Sequence, residues 1–315
     1  MTNNRVVCVV GPTGCGKTKM GVLLAKAFNG EVVSCDSMQL YRGMVVGTAA
    51  PTSEEMEGVP HHMVGVIDPN GDYSVACYVR DAAKCVDDVL AREKLPILVG
   101  GTGLYLDALL HGADFADGQR GSAWRKKLES RMALEGAAAL LAELAAIDPD
   151  SATKLSPADR KRIIRALEVY YETGKTKTQH DLETQSVPLR YKPIYLGFAY
   201  EDREEMKHVI DLRVDQMVQN GLFEEVRSLL DTGISRSSTA FAAIGYKEAL
   251  AYLDGCASRE DAIAEIKLRS RQYAKRQLTW LRRNSDIYWY YWEKKRDFQS
   301  ALAFSTQILI ANGVC

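Results

Sequence analysis

Short apolar runs alternate with amphipathic stretches over the first third of the chain. The runs typical of buried strands are residues 5–10, 31–35, 62–67 and 96–100. The stretches with helical spacing of apolar residues are 17–28, 74–92 and 103–110. Strands that alternate with helices in this way predict βαβ units and a parallel sheet, so we expect an α/β fold.

The pattern changes between residues 113 and 188. Helical stretches follow one another there without a strand signal, at residues 123–134, 137–147 and 158–173. Strand character returns at 193–198 and in the aromatic run 287–292, and further helical stretches lie at 201–230 and 258–284. We therefore expect an α/β core built from residues 1–112 and 189–315, interrupted by an all-helical insertion domain at 113–188.

Composition is that of an ordinary globular protein, with 46% hydrophobic and 26% charged residues and a net charge of −1. No apolar run is long enough to cross a bilayer, so we expect a cytoplasmic protein without a membrane partner. We also expect a monomer. The seven cysteines include no C-x-x-C pair, which favours buried free thiols. The pair His61 and His62 lacks neighbours at ligand spacing, so structural histidines are favoured over metal ligands.

A phosphate-binding motif directly follows the first apolar run. Residues 11–18 read GPTGCGKT, which matches G-x-x-x-x-G-K-[ST] at every fixed position. Glycines allow backbone N–H groups to converge on phosphate oxygens, Lys17 adds a cation, and the hydroxyl of Thr18 can hold Mg²⁺. We expect a P-loop, and hence a core similar to that of P-loop NTPases.

The second element of a typical ATPase or GTPase is absent. The best candidate strand, residues 96–99, is followed by GGTGLY and not by an acidic residue. No N-K-x-D run for reading guanine follows the P-loop either. The phosphate-bearing ligand is therefore expected to be bound for a purpose other than hydrolysis.

Three polar side chains are expected beside the P-loop. Asp36 follows the second predicted strand, and ligands of open parallel sheets bind beyond the carboxyl ends of strands. Asp36 could act as a general base or a water-mediated Mg²⁺ ligand, or it could simply cap a helix. The amide of Gln39 suits reading of a base edge, and Thr102 is either a second hydroxyl of the site or a plain turn residue.

Positive charge is concentrated in two helical stretches. Residues 266–285 contain seven cations and no acid, interleaved with Tyr273 and Trp280 on one stripe. A second cluster, residues 160–165, lies opposite an apolar face in the insertion. Cations with aromatics suit phosphates and unstacked bases, so nucleic acid is favoured, although a solvated basic helix is the alternative.

These motifs together resemble the tRNA dimethylallyltransferases, also called tRNA isopentenyltransferases, of the bacterial type. The resemblance rests on the P-loop and on further runs that follow in family order over nearly the whole chain. These runs are DSMQLYRGM at 36–44, GTA at 47–49, VGGTGLYL at 99–106, RIIRALEV at 162–169, GLFEEV at 221–226, IGYKE at 244–248 and RQYAKRQLTW at 271–280.

The resemblance implies Mg²⁺-dependent transfer of a dimethylallyl group from dimethylallyl diphosphate to the exocyclic amine of the adenine directly 3′ of the anticodon. The P-loop would then bind the diphosphate through Gly11, Pro12, Thr13, Gly14, Cys15, Gly16, Lys17 and Thr18. Asp36 would take the amine proton, while Lys17, Thr18 with Mg²⁺, Thr102 and Arg213 would stabilise the departing diphosphate.

The resemblance also implies a set of residues that contact the tRNA anticodon stem-loop. They are Asp36, Ser37, Met38, Gln39, Thr102, Arg125, Lys161, Arg162, Ile163, Ile164, Arg165, Phe241, Gly245, Tyr246, Arg271, Tyr273, Lys275, Arg276 and Trp280. A paired or stacked adenine could not reach the site, so extrusion of the base is expected.

Three alternatives remain at this point. An adenylate isopentenyltransferase shares the P-loop and the base but has no use for a basic helical insertion. A P-loop kinase would transfer the γ-phosphate of ATP, and a non-catalytic RNA-binding protein would tolerate loss of Asp36.

Overall fold

The computed structural model describes residues 4–71, 73–112 and 122–314. Contacts divide the chain into two compact units. The sheet unit comprises Met1–Leu110 and Tyr191–Cys315, and the helical unit comprises His111–Arg190. The predicted start of the insertion at residue 113 falls in the gap 113–121, outside the described residues.

Six strands form one sheet in which every pairing is parallel. The strands are β1 (Arg5–Val10), β2 (Gly30–Ser34), β3 (His61–His62), β4 (Leu95–Gly100), β5 (Lys192–Tyr200) and β6 (Ile287–Trp292), in the order β3-β2-β4-β1-β5-β6. In β1 every residue after Arg5 is buried, as expected for a strand covered on both faces. The predicted α/β fold with a parallel sheet is confirmed.

Helices account for most of the rest of the described chain. In chain order they are α1 (Lys17–Ala27), α2 (Ser53–Met56), α3 (Val75–Ala91), α4 (Gly103–His111), α5 (Ala123–Leu134), α6 (Ala137–Ile147), α7 (Pro149–Ala152), α8 (Arg160–Thr173), α9 (Lys177–Ser186), α10 (Arg203–Gln219), α11 (Leu222–Asp231), α12 (Tyr246–Leu253), α13 (Arg259–Leu281) and α14 (Phe298–Ala311). A short 3₁₀ helix spans Thr239–Ala242. None of the described helices is both long enough and apolar enough to cross a bilayer.

Two predicted elements differ from the structure. The apolar run 62–67 forms a strand only at His61–His62, because Met63 (φ 61°) and Gly65 (φ 59°) adopt left-handed backbone that ends the extended run. The predicted helix 201–230 is divided, since α10 ends at Gln219 and the left-handed backbone of Gly221 (φ 91°) precedes the start of α11. Both interruptions are local backbone effects within otherwise apolar patterns.

The histidine pair is structural, as expected. The Nδ1 atom of His61 lies 2.9 Å from the carbonyl oxygen of Val59, and Nε2 of His62 lies 2.8 Å from a carboxylate oxygen of Glu31. Glu31 is buried and also forms ion pairs with Arg92 and Lys94. One carboxylate near the start of β2 therefore binds three basic side chains.

Candidate active site

The P-loop connects β1 to α1 at the carboxyl end of a central strand. Gly14 (φ 80°) and Gly16 (φ 83°) lie in the left-handed region. A Cβ atom on Gly11 would lie 2.2 Å from the carbonyl oxygen of Phe198, so only glycine fits at this position. Gly16 caps α1 without a side chain, which leaves the first N–H groups of the helix available to an anion.

Side chains from distant elements hold the P-loop. Trp292 at the end of β6 donates its indole N–H to the carbonyl oxygen of Cys15 over 2.9 Å. Buried Gln277 on α13 accepts a hydrogen bond from the N–H of Thr13 (2.8 Å) and donates one to the carbonyl oxygen of Gly101 (3.0 Å). The loop conformation is therefore fixed by the second half of the chain as well as by its own glycines.

A cavity of about 790 Å³ lies beside this loop, wholly within the sheet unit. Its wall combines the P-loop, the turn after β2, residues 45–50 and parts of α10 and α13. Its charged and polar lining includes Lys17, Thr18, Asp36, Gln39, Glu55, Arg213, Tyr273, Arg276 and Arg296, and its apolar lining includes Val46, Ala50, Val209, Met217, Ala243 and Ile266. The cavity thus offers an anion cradle next to an apolar surface.

Nearby carboxylates compensate only part of the positive charge of the cations that line the cavity. Burial lowers the pKa of Lys17 and of Arg213. The charge of Arg213 lowers the pKa of Lys17 further, and the charge of Arg296 lowers that of Arg213, while Asp36 offsets part of both effects. Lys17 donates to the carbonyl oxygen of Pro12 at 2.7 Å, and Nε of Arg213 is buried without a hydrogen-bond partner in the described part of the chain. A bound anion would supply the missing acceptor and offset this repulsion.

Asp36 caps a turn and not a helix. One carboxylate oxygen, Oδ1, accepts hydrogen bonds from the N–H groups of Met38 (2.9 Å) and Gln39 (3.4 Å). None of the described residues donates a hydrogen bond to Oδ2, and Asp36 lines the cavity. The turn therefore orients the carboxylate while one oxygen is left for chemistry in the cavity.

The neighbouring polar residues differ from their predicted roles in detail. Gln39 uses its amide within the protein, because its oxygen lies 3.1 Å from Ser34 Oγ and its nitrogen donates to Ala49 (3.2 Å). Thr102 is not among the residues that line the cavity. Its hydroxyl accepts from the N–H of Ser37 at 3.4 Å and hydrogen-bonds with Tyr273, so it supports the turn after Asp36.

Helix α13 brings part of the predicted tRNA-contacting set to the cavity. Tyr273 and Arg276 line it, with the guanidinium of Arg276 over the Tyr273 ring at 5.6 Å. Lys275 is exposed, and the 39% exposed Trp280 donates to Asp107 at 3.2 Å. Arg271, in contrast, forms an ion pair with Asp211 on α10, which joins the two helices.

The side chains of Phe241 and Tyr246 lie in the core. The prediction that these side chains contact tRNA is therefore corrected. Both are buried with α11 and α12, and Gly245 (φ 96°) caps α12. The Tyr246 hydroxyl donates to Glu225, whose carboxylate also accepts from the N–H groups of residues 45–47. These residues therefore support the part of the cavity wall formed by residues 45–50 from its core side.

In the helical unit, the second basic cluster also contains both buried and exposed residues. Ile163 and Ile164 are buried in the core of this unit, because they occupy the apolar face of α8, and their side chains are not available to tRNA. Lys161 and Arg162 are exposed. Arg125 and Arg165 are partly exposed and both pair with buried Glu168, a single carboxylate that orients two guanidinium groups.

Four functional contributors were missed by the sequence reasoning: Gln277, Trp292, Arg296 and Glu225. Gln277 and Glu225 lie inside the quoted runs RQYAKRQLTW and GLFEEV, so their positions were visible. Nothing local indicated that they hold the P-loop and residues 45–47, because those backbone partners lie more than 170 residues away. Trp292 was interpreted as a packing residue only.

The chain matches known proteins along most of its length. The model of the family described as IPP transferase matches residues 39–284, and that described as Isopentenyl transferase matches residues 4–64. A tRNA dimethylallyltransferase of Oceanobacillus iheyensis is 46% identical over 285 residues, which cover 90% of each chain.

Solved structures agree with these matches. The crystal structure of a full-length tRNA isopentenylpyrophosphate transferase from Bacillus halodurans is 40% identical, with a TM-score of 0.72 and 98% of each chain covered. A eukaryotic dimethylallyltransferase seen acting on tRNA is 30% identical with a TM-score of 0.82, covering 98% of this chain and 80% of that one.

Proposed function

We propose, because the chain belongs to the IPP transferase family, that it transfers a dimethylallyl group from dimethylallyl diphosphate to tRNA. The acceptor is the N6 amine of the adenine directly 3′ of the anticodon, and diphosphate is released. One observation carries this proposal: the cavity combines a P-loop and a buried guanidinium, whose Nε atom on Arg213 has no hydrogen-bond partner among the described residues, with an apolar wall and the Oδ2 atom of Asp36. A prenyl diphosphate and an amine need these features side by side.

The proposed reaction uses each part of this arrangement. The bond between C1 of the prenyl group and the diphosphate oxygen breaks, the bond between C1 and N6 forms, and the N6 proton moves to Asp36. Negative charge grows on the departing diphosphate, where Lys17, Arg213 and the P-loop N–H groups interact with it more strongly than in the ground state. Apolar residues such as Val209 and Ile266 exclude water from the prenyl cation character that develops at C1.

A magnesium ion fits the oxygen donors of this cavity. The Thr18 hydroxyl would hold Mg²⁺ together with diphosphate oxygens, and Asp36 and Glu55 line the same cavity as carboxylates that water could bridge. Bound Mg²⁺ supplies positive charge to the leaving group. Thr18 would hold the ion, while Lys17 and Arg213 would bind the phosphates directly.

Recognition of tRNA is proposed for two surfaces. Tyr273 and Arg276 form the side of the cavity where an extruded adenine can stack, and Lys275 is exposed one residue before Arg276. In the helical unit, Lys161, Arg162, Arg165 and Arg125 offer cations to the RNA backbone. We further propose that the protein acts as a monomer in the cytoplasm, which gel filtration and fractionation test.

A labelling experiment tests the proposed reaction. The protein is incubated with Mg²⁺, labelled dimethylallyl diphosphate and either unmodified tRNA or AMP, and the products are digested to nucleosides. We expect label on the adenosine next to the anticodon of tRNA. Label on AMP alone would favour an adenylate prenyltransferase, and ATP turnover without prenyl transfer would favour a kinase.

A further inference from the structure

We propose that Arg296, in the connection between β6 and α14, is a diphosphate-binding residue of the active site. This inference rests on the proposed function for the identity of the ligand. Arg296 lines the same cavity as Lys17 and Arg213, although it lies far from both in the sequence. No motif in the chain pointed to it.

The connection that carries Arg296 is anchored on the P-loop at both ends. On one side, Trp292 donates its indole N–H to Cys15. On the other side, Phe298 packs so close to Gly16 that a Cβ atom there would lie 3.1 Å from its ring. Arg296 lies between these anchors, and the same Cβ atom would lie 3.3 Å from its Cδ atom. The guanidinium group is thus held over the start of α1.

Asp297 fixes the backbone directly after Arg296. Its carboxylate accepts hydrogen bonds from the N–H groups of Gln299 (3.0 Å) and Ser300 (3.2 Å), which cap α14. This carboxylate is used in the cap and forms no ion pair with Arg296. Tyr200 hydrogen-bonds to the guanidinium and orients it without neutralising its charge.

The charges explain why an anion belongs here. No carboxylate among the described residues forms an ion pair with Arg296, and Nε of the neighbouring Arg213 has no partner. Burial lowers the pKa of Arg213, and the positive charge of Arg296 lowers it further, so the two guanidinium groups repel each other. A diphosphate would accept from both, and the planar fork of each arginine suits a pair of phosphate oxygens.

Binding of inorganic pyrophosphate with Mg²⁺ tests this role without requiring prenyl transfer. We expect Arg296→Gln to weaken pyrophosphate affinity, measured by calorimetry, by roughly 10- to 100-fold, the usual effect of losing a hydrogen bond between charged groups. Arg296→Lys, which keeps the charge but loses the fork, should give an intermediate affinity. In steady-state assays the KM for dimethylallyl diphosphate should rise in the same order, while tRNA affinity stays unchanged.

Lys295→Gln is the matched control, because it removes one positive charge from the adjacent exposed residue. Equal pyrophosphate affinities for Arg296→Gln, Lys295→Gln and the wild type would overturn the inference. Thermal unfolding of each variant checks that the fold is retained, and Arg296→Lys provides the answer if Arg296→Gln is unstable. Pyrophosphate binding that depends on Arg296 in a protein that does not label tRNA would reject the proposed function alone.

Discussion

The side-chain oxygen of Gln277 accepts a hydrogen bond from the backbone N–H of Thr13 over 2.8 Å, across a sequence separation of 264 residues. The amide nitrogen of Gln277 binds Gly101 at the same time. One buried side chain of α13 therefore joins the P-loop to the turn after β4. The same helix presents Tyr273 and Arg276 to the cavity, so the proposed base-binding and diphosphate-binding groups share a rigid support.

Gln277→Leu is expected to impair the P-loop. The change leaves the N–H of Thr13 and the carbonyl of Gly101 unsatisfied, and each buried unpaired group costs about 1–3 kcal/mol. The KM for dimethylallyl diphosphate should rise and the melting temperature should fall, as measured by steady-state kinetics and calorimetry. The control is Gln272→Leu on the exposed face of α13, which should leave both values unchanged. A wild-type KM in Gln277→Leu would contradict this prediction.

Asp36→Asn is expected to distinguish the role of this residue as a general base from its role as a hydrogen-bond acceptor in the turn. The asparagine retains an Oδ1 acceptor for Met38 and Gln39, so the turn and the binding of both substrates should remain. The single-turnover rate of prenyl transfer should fall by at least roughly 10²-fold, as is typical of lost general-base catalysis. Asp36→Ala, which also removes the turn acceptor, should additionally weaken binding. Near wild-type turnover in Asp36→Asn would reduce the residue to a turn cap.

Thr18→Ala is expected to raise the Mg²⁺ concentration needed for half-maximal rate. The hydroxyl is the proposed protein ligand of the ion, so its loss should have at least the roughly tenfold effect of removing a supporting contact from a metal site. Thr18→Ser keeps the hydroxyl and serves as the matched variant. The measurement is the initial rate over a Mg²⁺ titration, and identical titrations for the alanine and serine variants would exclude Thr18 as a ligand.

Replacement of Lys161, Arg162 and Arg165 by alanine is expected to weaken tRNA binding and flatten its dependence on salt. Each lost phosphate contact should reduce the slope of log affinity against log salt by roughly 0.7 to 0.9. Affinity for dimethylallyl diphosphate should not change. The control removes Lys175 and Lys177 of the same unit, which are paired with Glu183 and Asp181. An unchanged slope in the triple variant would identify the cluster as a solvated face.

Glu31 should make stability depend on acid pH. Hydrogen bonding to Arg92, reinforced by Lys94 and His62, holds the pKa of the buried Glu31 carboxyl well below its ordinary value of 4.5. Because the unfolded chain binds this proton first, the stabilisation is complete above about pH 5 and is lost as the pH falls below 4.5. Glu31→Gln should lower the free energy of unfolding by about 3 kcal/mol at neutral pH. Between pH 5 and 3 the variant should lose less of its unfolding free energy than the wild type does.

Glu57 provides the matched control for this prediction. Lys19 and Lys26 lower the pKa of its carboxyl to about 2, but all three side chains are largely in solvent. The effect of Glu57→Gln should therefore be small and should disappear in 1 M salt, where exposed charges are screened. A Glu31→Gln variant that behaves like Glu57→Gln in urea unfolding at several pH values would show that burial of the cluster contributes nothing.

The sequence was sufficient for features that depend on local backbone chemistry. The glycines and Lys17 specify the P-loop within eight residues, and the end of β2 places Asp36 beside it by the rule for parallel sheets. The sequence was not sufficient where tertiary packing overrides what the neighbouring residues in the chain suggest. Ile163 and Ile164 lie between basic residues in the chain, but the period of α8 turns them into the core. Gln277 and Arg296 become informative only when distant segments meet.

The anchoring of the P-loop by Trp292 and Phe298 also has a consequence for biosynthesis. The loop leaves the ribosome before β6 and α14, which are the last of the described elements in chain order. Until they arrive, the carbonyl of Cys15 lacks its indole partner and Arg296 is missing from the cavity. A nascent chain therefore cannot complete the side-chain contacts that hold the P-loop until β6 and α14 have been synthesised.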